Sequence, residues 1–563
     1  MTQETGNSTT PNYLKSAIGQ IYGDEDDLVI LGLTGRTGSG CSTVAKILQS
    51  EQTDIRHSLY SGENPDNNVQ RKDRILLRHF KATWAPFLLI QVRALITTFL
   101  LDTDATVAAT AFTSLLSTDK QRAQFTAFLD DLRASYQAIT GRQPGADAEL
   151  YYTKELPEKC ERLRKILGES GFVQLYQKIG KNIRISGNPY KEELEEGKFF
   201  TLADRIDKVI KLIHEQRKAR GQKKTFIVVD AIRSPLEALF LQERHSSFLL
   251  MAVSAPEDHR QKRLRNLNHS EAAIKSIDAN EYTTRDIDNP DFYTVQDIQS
   301  CLQRADLYIS NPDVRAKVNE FQDLANQVIR FVSLIRKPGI VTPSPIERCM
   351  QMAYTAKLNS GCISRQVGAV VTDINFSVRS IGWNDAPHGQ VPCNLRNRED
   401  LLIGSDSAAY SKYEKTSDDY LTHFAKSSTR FIKIAESGRN NSFCFKSEYN
   451  TLKKEKNQVH TRSLHAEENA FLQISKYGLA SIEGGILFTT ASPCELCAKK
   501  AYQLGIKKIY FIDPYPGIAL DHILHGGTMN PELFLFYGAI GRAFHKLFSP
   551  IVAYKDELAA LTA

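Results

Sequence analysis

Runs of consecutive apolar residues divide the first half of the chain, and turns rich in Gly, Ser or Asp end most of them. The runs at 28–33, 225–230, 248–253 and 305–310 each have the length of one strand. A long segment between them, from about 72 to 167, has a helical pattern. Continuous apolar strands that alternate with helices predict a mostly parallel sheet in an α/β domain.

Prolines cluster after the last of these strands, and a new pattern of helix and strand begins behind them near Ile346. A long polar insertion, rich in Tyr, Ser, Lys and Asp, interrupts this second pattern. The predicted organisation is therefore a flexible N-terminus at 1–24, a first domain at 25–320, a linker at 321–345 and a second domain at 346–563 with the insertion at 396–461.

Composition narrows the class of protein. The chain has 563 residues, of which 42% are hydrophobic, and 71 basic against 65 acidic side chains give a net charge of +6. So small an excess is weak support for nucleic-acid binding and fits polyphosphate ligands equally well. No apolar run reaches membrane-spanning length, and the first residues lack a secretory signal pattern. The nine scattered cysteines favour a reducing cytoplasm.

Four residues of the second predicted domain have the types and spacing of a catalytic metal site. His465 and Glu467 begin an apparent helix, and Cys494 and Cys497 follow behind Pro493 at the start of another. One His and two Cys would hold zinc and leave its fourth position open, as catalytic sites do. Glu467 is then free to carry protons. The spacing is the zinc-deaminase signature, which predicts hydrolytic removal of an amine from a nucleobase, with a structural zinc site as the alternative.

A glycine-rich turn follows the first predicted strand and precedes a helix, where a phosphate-binding loop belongs. The turn consists of Gly35, Arg36, Thr37, Gly38, Ser39, Gly40, Cys41, Ser42 and Thr43. Its backbone amides could cradle phosphates. Cys41 stands where such loops have the lysine that bridges terminal phosphates, and this puts phosphoryl transfer in doubt.

The second domain resembles the deoxycytidylate deaminases. The matching segments are SRQVGAVVT, SIGWNDAPHG, LHAEENA, FTTASPCELCAKKAYQLGIKKIYF and DPYPG. The resemblance implies a cytidine-deaminase-like α/β/α fold with zinc, a substrate contact by Asn384, and a Tyr515 ring packed on the pyrimidine. Some members of that family hold an extra zinc near these segments. His388, Cys393 and His460 are the residues available for it here, with ordinary loop residues as the alternative.

The first domain resembles the nucleoside-monophosphate and dephospho-coenzyme A kinases. The similar segments are FIVVDAIRSPLEA, SAPEDHRQKRL and ADLYISN. Asp230 stands where such kinases have an acid associated with magnesium or the phosphate acceptor. Arg233, Arg260 and Arg263 are candidates for phosphate contacts, or form an ordinary solvated helix. With the altered loop, this predicts a regulatory domain that binds a nucleoside triphosphate with Mg²⁺.

The two halves together resemble the bacterial antiphage deoxycytidylate deaminases. That resemblance implies conversion of dCTP and dCMP to dUTP and dUMP, depletion of dCTP during infection, a homo-oligomer, and control by an inhibitory small RNA. Feedback in related deaminases makes dTTP and dCTP the expected allosteric ligands. The alternatives are a cytosine or adenine deaminase acting on nucleic acid, a non-enzymatic nucleotide sensor, and a chain with an active kinase domain.

Overall fold

The computed structural model describes residues 28–116, 118–267, 269–281, 296–312, 321–457, 459–478, 481–513 and 519–562. The chain forms two compact units. The first consists of Met1–Thr342 and Arg542–Ala563, and the second of Pro343–Gly541. No described helix is both long enough and apolar enough to span a membrane.

A parallel sheet forms the centre of the first unit. Its strands are β1 (Leu28–Thr34), β2 (Leu88–Gln91), β3 (Thr225–Asp230), β4 (Phe248–Ser254) and β5 (Leu307–Ser310). They lie in the order β5-β4-β1-β3-β2, and every neighbouring pair among them is parallel. Strand β1 is buried along almost its whole length, as expected for a central parallel strand. Four of these strands form where the apolar runs predict them.

Strand β2 differs from the prediction, because it lies inside the segment that was expected to be helical. It has only four residues, too few for a strand period to stand out from the helices around it. The helices of this part of the chain are α1 (Cys41–Gln49), α2 (Asn68–Thr83), α3 (Val92–Leu101), α4 (Ala105–Ala111), α5 (Asp119–Thr140), α6 (Ala148–Leu150), α7 (Leu156–Ser186), α8 (Thr201–Ala219), α9 (Pro235–Arg244), α10 (Glu257–Asn266), α11 (Glu271–Glu281), α12 (Ile298–Arg304) and α13 (Gln322–Arg336). Short 3-10 and π turns occupy Gln52–Asp54 and Tyr151–Glu155.

The second unit is built on a mixed sheet. The strands of this sheet are β6 (Gly368–Thr372), β7 (Val378–Trp383), β8 (Ile486–Ala491), β9 (Lys508–Asp513) and β10 (Glu532–Leu535). The two-residue strand β11 (Gly538–Ala539) is not part of this sheet. The helices of the unit are α14 (Pro345–Ala356), α15 (Arg398–Ile403), α16 (Lys412–Thr416), α17 (Asp418–Glu436), α18 (Phe445–Lys453), α19 (Ala466–Tyr477) and α20 (Glu495–Gln503). Shorter 3-10 and π turns lie at Lys357–Asn359, Cys393–Leu395, Ser407–Ala409 and Ala519–Leu524. The sheet order is β10-β9-β8-β6-β7. Strands β8, β9 and β10 are parallel, whereas β6 is antiparallel to both of its neighbours.

The boundaries predicted between the domains need two corrections. Helix α13, expected in a linker, groups with the first unit because its apolar face is buried there. The last helices, α21 (Arg542–Phe548) and α22 (Tyr554–Thr562), were expected in the second domain but also belong to the first unit. Arg542 donates to both carboxylate oxygens of Asp306, at 2.6 and 2.9 Å, and so ties α21 to the start of β5.

The polar insertion has a core of its own. Helices α15 to α18 enclose a cluster of buried aromatic and apolar side chains that includes Tyr410, Tyr420, Phe424 and Phe443. An ion pair between Arg396 and Glu414, both 0% exposed, lies within the same segment. The tyrosines that make the segment look polar in the sequence are therefore partly a packed interior.

Candidate functional site

The close approach of β7 to α19 positions His465. Gly382 lies on β7, and a side-chain carbon there would be 2.3 Å from the carbonyl oxygen of Ala466, so only glycine allows the helix to start against the strand. His465 is the residue before the first turn of α19. Its backbone N–H donates to Glu468 at 3.4 Å, which fixes the start of the helix.

Helix α20 brings two sulfur atoms to this histidine. Cys494 precedes the helix and Cys497 lies in its first turn. The Nδ1 atom of His465 is 3.2 Å from the Cys494 sulfur and 3.4 Å from the Cys497 sulfur. Ligands of tetrahedral zinc stand roughly 3.6 Å apart, given metal bonds of about 2.0 Å to nitrogen and 2.3 Å to sulfur. The three residues therefore fit a zinc ion, and the structure brings together the set that the sequence predicts.

The electrostatics of the cluster favour a cation. A hydrogen bond from Cys497 lowers the pKa of the Cys494 thiol to about 3, so this sulfur is a thiolate at neutral pH. The hydrogen bond to Cys494 raises the pKa of His465. Thiolate is the form of cysteine that binds metal, and the start of a helix stabilises it further.

Glu467 lies beside the cluster and is only 4% exposed. Burial raises the pKa of its carboxyl above the usual value, which suits a group that must both take up and release a proton. The fully buried Thr489 of β8 donates to Glu467 Oε1 at 2.9 Å, and the carbonyl of Ala491 lies 2.8 Å from the same hydroxyl. A hydroxyl has one proton, so Thr489 donates to one of these oxygens at a time. Thr489 was not predicted from the sequence, although its place five residues before Cys494 was a usable signal.

Asn384 is nearly buried, and its side chain is engaged by the chain itself. The amide Nδ2 donates to the carbonyl of Arg365 at 2.7 Å, and Oδ1 accepts from the N–H of Val367 at 2.6 Å. Asn384 thus orders the segment that leads into β6. A contact with substrate stays a prediction. Tyr515, predicted to pack on a pyrimidine, lies outside the described residues.

A second feature that the sequence analysis missed is the pair formed by Arg365 and Asp513. The guanidinium donates to Asp513 Oδ2 at 2.5 Å, and Asp513 is fully buried at the end of β9. Asp513 pairs in register with Ala491, three residues before Cys494. The pair therefore lies at the same edge of the sheet as the zinc ligands.

The residues available for an extra zinc do not form a cluster. Within the described parts of the chain, the one group of three or more metal-binding side chains with ligand atoms inside 4.8 Å of one another is His465, Cys494 and Cys497. His388, Cys393 and His460 are all described and are not part of any such group. Instead, a side-chain hydrogen bond joins Cys393 to Cys444.

In the first unit, the glycine-rich turn connects β1 to α1, as predicted. Gly40 precedes the helix with φ of 110°, a conformation that favours glycine, and no side chain caps the helix there. Ser42 donates to Asp230 Oδ2 at 3.0 Å, so the turn and the end of β3 meet. Burial and the nearby Asp230 carboxylate raise the pKa of the Cys41 thiol to about 12, so Cys41 is uncharged and does not replace a lysine.

Two of the three arginines proposed as phosphate contacts hold the turn itself. Arg260 donates to the carbonyl of Thr37 at 3.0 Å, and Arg263 donates to that of Gly38 at 3.2 Å. Arg260 is 1% exposed, so it is a buried support of the turn and not part of a solvated helix. Arg233 lies at the turn as well, 3.3 Å from the Thr37 hydroxyl.

Comparison with known proteins concerns the second unit. A family model for the zinc-binding region of cytidine and deoxycytidylate deaminases matches residues 343–513. The deoxycytidylate deaminase of Enterobacteria phage T2 is 31% identical over 170 residues, which are 30% of this chain and 78% of the phage protein. The phage T4 enzyme is 32% identical over 167 residues, which are 30% of this chain and 76% of that protein.

A solved structure is similar as well. It is the crystal structure of dCMP deaminase from the cyanophage S-TIM5 in complex with dCMP and dUMP, with 22% identity, a TM-score of 0.22, and coverage of 35% of this chain and 99% of that one. Because identities of 31% and 32% extend over 78% and 76% of two phage deaminases, the chain belongs to the deoxycytidylate deaminase family and is a deaminase of the hydrolase class.

Proposed function

We propose that the second unit hydrolyses the exocyclic amine of deoxycytidine nucleotides, converting dCMP to dUMP and dCTP to dUTP. The observation that carries this proposal is the buried carboxyl of Glu467 beside three gathered zinc ligands, His465, Cys494 and Cys497. A structural zinc site needs no such carboxyl. The family match to residues 343–513 and the phage deoxycytidylate deaminases supports the substrate class.

The chemistry follows from the donors and acceptors around Glu467. His465, Cys494 and Cys497 would hold zinc, which would supply an activated water for attack on the ring carbon that carries the amine. Glu467 would take one proton from this water and deliver it to the ring nitrogen. It would then take the second proton from the hydroxyl that the water leaves on the ring carbon and pass it to the amine, which departs as ammonia. Thr489 steadies the carboxyl throughout. Its hydroxyl donates while Glu467 is ionised and can turn to Ala491 when Glu467 carries the proton.

We assign substrate recognition to Asn384, which orders the segment before β6, and to Tyr515. Asn384 orders the backbone at 365–367, which lies at the sheet edge that carries the zinc ligands. We propose that Asn384 contacts the sugar from this position and that Tyr515 covers one face of the pyrimidine.

For the first unit we propose a regulatory role with a bound nucleoside triphosphate and Mg²⁺. The backbone turn at 35–43 supplies amides for phosphates, and Ser42 with Asp230 forms the pair of oxygens that suits Mg²⁺. The uncharged Cys41 argues against phosphoryl transfer. The wider proposal is a cytoplasmic homo-oligomer that depletes dCTP during phage infection, with dTTP or dCTP as allosteric ligands and a small RNA as inhibitor.

The test is ammonia release by the purified full chain with dCMP, dCTP, CMP and CTP. Glu467→Gln removes the proton carrier with almost no change of shape. Glu468→Gln is the matched control, because glutamine keeps an oxygen for the His465 N–H and changes only the ion pair with Lys500. We expect Glu467→Gln to lose at least about 100-fold in kcat with zinc retained. Glu468→Gln should stay within a few-fold of the unmodified chain.

Two results would contradict the proposal. One is unchanged ammonia release by the Glu467→Gln chain, which would remove this carboxyl from the mechanism. The other is base conversion in labelled single-stranded DNA or tRNA with no conversion of free nucleotides, combined with binding that weakens steeply with salt. That second result would identify a nucleic-acid deaminase.

A further inference from the structure

A buried carboxylate occupies the glycine-rich turn of the first unit. Glu281, the last residue of α11, is 2% exposed. Its two carboxylate oxygens lie 3.0 and 3.2 Å from the backbone nitrogen of Thr37, which donates to them. The Thr37 hydroxyl donates to the same carboxylate. The two residues are 244 positions apart in the sequence, so the fold and not local geometry brings them together.

Arginines complete the surroundings of this carboxylate. Arg233 donates to Glu281 Oε1 at 2.8 Å, and Arg36 Nε lies 4.0 Å from Oε2. A main-chain N–H, a hydroxyl and guanidinium groups are the donors that proteins use to bind a phosphate oxygen. An ordinary structural ion pair would use the side chains alone. Here the Glu281 carboxylate also accepts a hydrogen bond from the backbone N–H of Thr37, in the turn that would hold the ligand.

The charges around the turn allow only one anion, either the Glu281 carboxylate or a phosphate group, to occupy this position. Cys41 contributes no positive charge, and Arg36 is also paired with Glu257 and with Asp278, the latter at 2.8 Å. A phosphate group that enters the turn would find its hydrogen-bond donors, the Thr37 amide and Arg233, already bound to the negatively charged Glu281. Like charges in a partly dry site repel strongly, so the two anions exclude each other.

We propose that Glu281 is an intramolecular competitor for the phosphate groups of a nucleoside triphosphate at the turn 35–43, an inference that rests on the nucleotide binding proposed above. The ligand binds when its phosphates displace this carboxylate from Thr37 and Arg233. Displacement couples occupancy of the turn to the position of α11. The altered turn is then a sensor that responds only to high ligand concentration.

The experiment is calorimetric titration of the full chain with tripolyphosphate and with ATP, each with Mg²⁺. Glu281→Gln keeps the shape of the side chain and removes its charge, and we expect it to bind tripolyphosphate at least about tenfold more tightly than the unmodified chain. Glu257→Gln is the matched control. It removes the same charge near Arg36 and Arg260 without touching the Thr37 amide, and its affinity should change by less than about twofold.

Two further variants address location and folding. Adding Arg233→Gln to Glu281→Gln should abolish the gain, because Arg233 supplies the charge that phosphate would use. If Glu281→Gln does not fold, judged by circular dichroism and its unfolding temperature, Glu281→Asp serves instead. The shorter side chain draws the carboxylate away from Thr37, so it should tighten binding in the same direction by a smaller factor.

The outcomes separate this inference from the function on which it rests. Equal affinity of the Glu281→Gln and unmodified chains, or an equal gain in Glu257→Gln, would overturn the competitor while leaving nucleotide binding in place. Absence of binding in every variant would overturn both. A gain confined to the Glu281 variants and lost with Arg233→Gln would support the competitor.

Discussion

Thr489 offers a sharp test of the proposed mechanism, because one buried hydroxyl connects the sheet to Glu467. Replacement by valine keeps the branched shape and removes the hydroxyl. The 2.9 Å bond to Glu467 joins side chains that are 0% and 4% exposed, so water cannot replace it. Hydrogen bonds to charged groups are worth about 1.5–3 kcal/mol. If that stabilisation is lost in the transition state, kcat falls by about 10- to 100-fold.

The assay is steady-state deamination of dCMP, with zinc content measured on the same preparation. Because Thr489 is fully buried and its proposed role is to position Glu467, KM should change by less than about threefold. Thr489→Ser restores the hydroxyl and should recover most of kcat. The valine variant removes the one proton that this hydroxyl donates to either Glu467 or Ala491, which costs about 1 kcal/mol of stability and should appear as a lower Tm.

Thr489 has no part in the mechanism if Thr489→Val retains zinc, folds, and keeps kcat within twofold of the unmodified enzyme. The same holds if serine does not rescue activity, because the loss would then come from packing and not from the hydroxyl.

Further expectations follow from other parts of the chain. Glu414→Gln leaves the fully buried Arg396 without its charged partner and should lower the free energy of unfolding of the second unit by about 3 kcal/mol or more in urea; a loss below 1 kcal/mol would contradict this. Burial raises the pKa of Cys41 to about 12, so its alkylation should speed up about tenfold per pH unit between pH 7 and 10. A neighbouring thiol lowers the pKa of Cys444 to about 5, so Cys444 should react at a nearly constant rate over the same range. Peptide mass spectrometry measures both rates, and a parallel rise at both sites would refute this difference between the two thiols. Removal of zinc with a chelator should abolish deamination and added Zn²⁺ should restore it, and activity that survives in metal-free protein would exclude the zinc mechanism. Arg542→Ala should make the first unit more sensitive to limited proteolysis than the second, and the opposite order of cleavage would argue against placing the C-terminal helices in the first unit.

The metal cluster was predictable because its signal is local. His465 and the two cysteines each sit at a helix start, and the spacing of Cys494 and Cys497 places both sulfurs on one side of a single turn. Most of the parallel strands of the first unit were predictable for the same reason, because a buried parallel strand appears in the sequence as one continuous apolar run.

The rest depends on pairs that are distant in sequence. Thr489 is 22 residues from Glu467, and Asn384 is 17 residues from Val367. At these separations the sequence around one residue does not indicate its hydrogen-bond partner. The hydrogen bonds of Arg542 to Asp306 span 236 residues, and nothing in the local pattern of the last helices shows which unit they join. The core of the insertion was hidden by composition, because buried tyrosines read as polar until their packing is known.

The return of residues 542–563 to the first unit has a consequence for synthesis of the chain. A ribosome synthesises residues 343–541 before the segment that completes the first unit. We expect the second unit to be able to complete its fold earlier than the first unit, which waits for the final helices. The residues of the proposed zinc site would then be in place before the first unit is complete. A chain that stops prematurely after Gly541 would carry those residues together with an unfinished first unit.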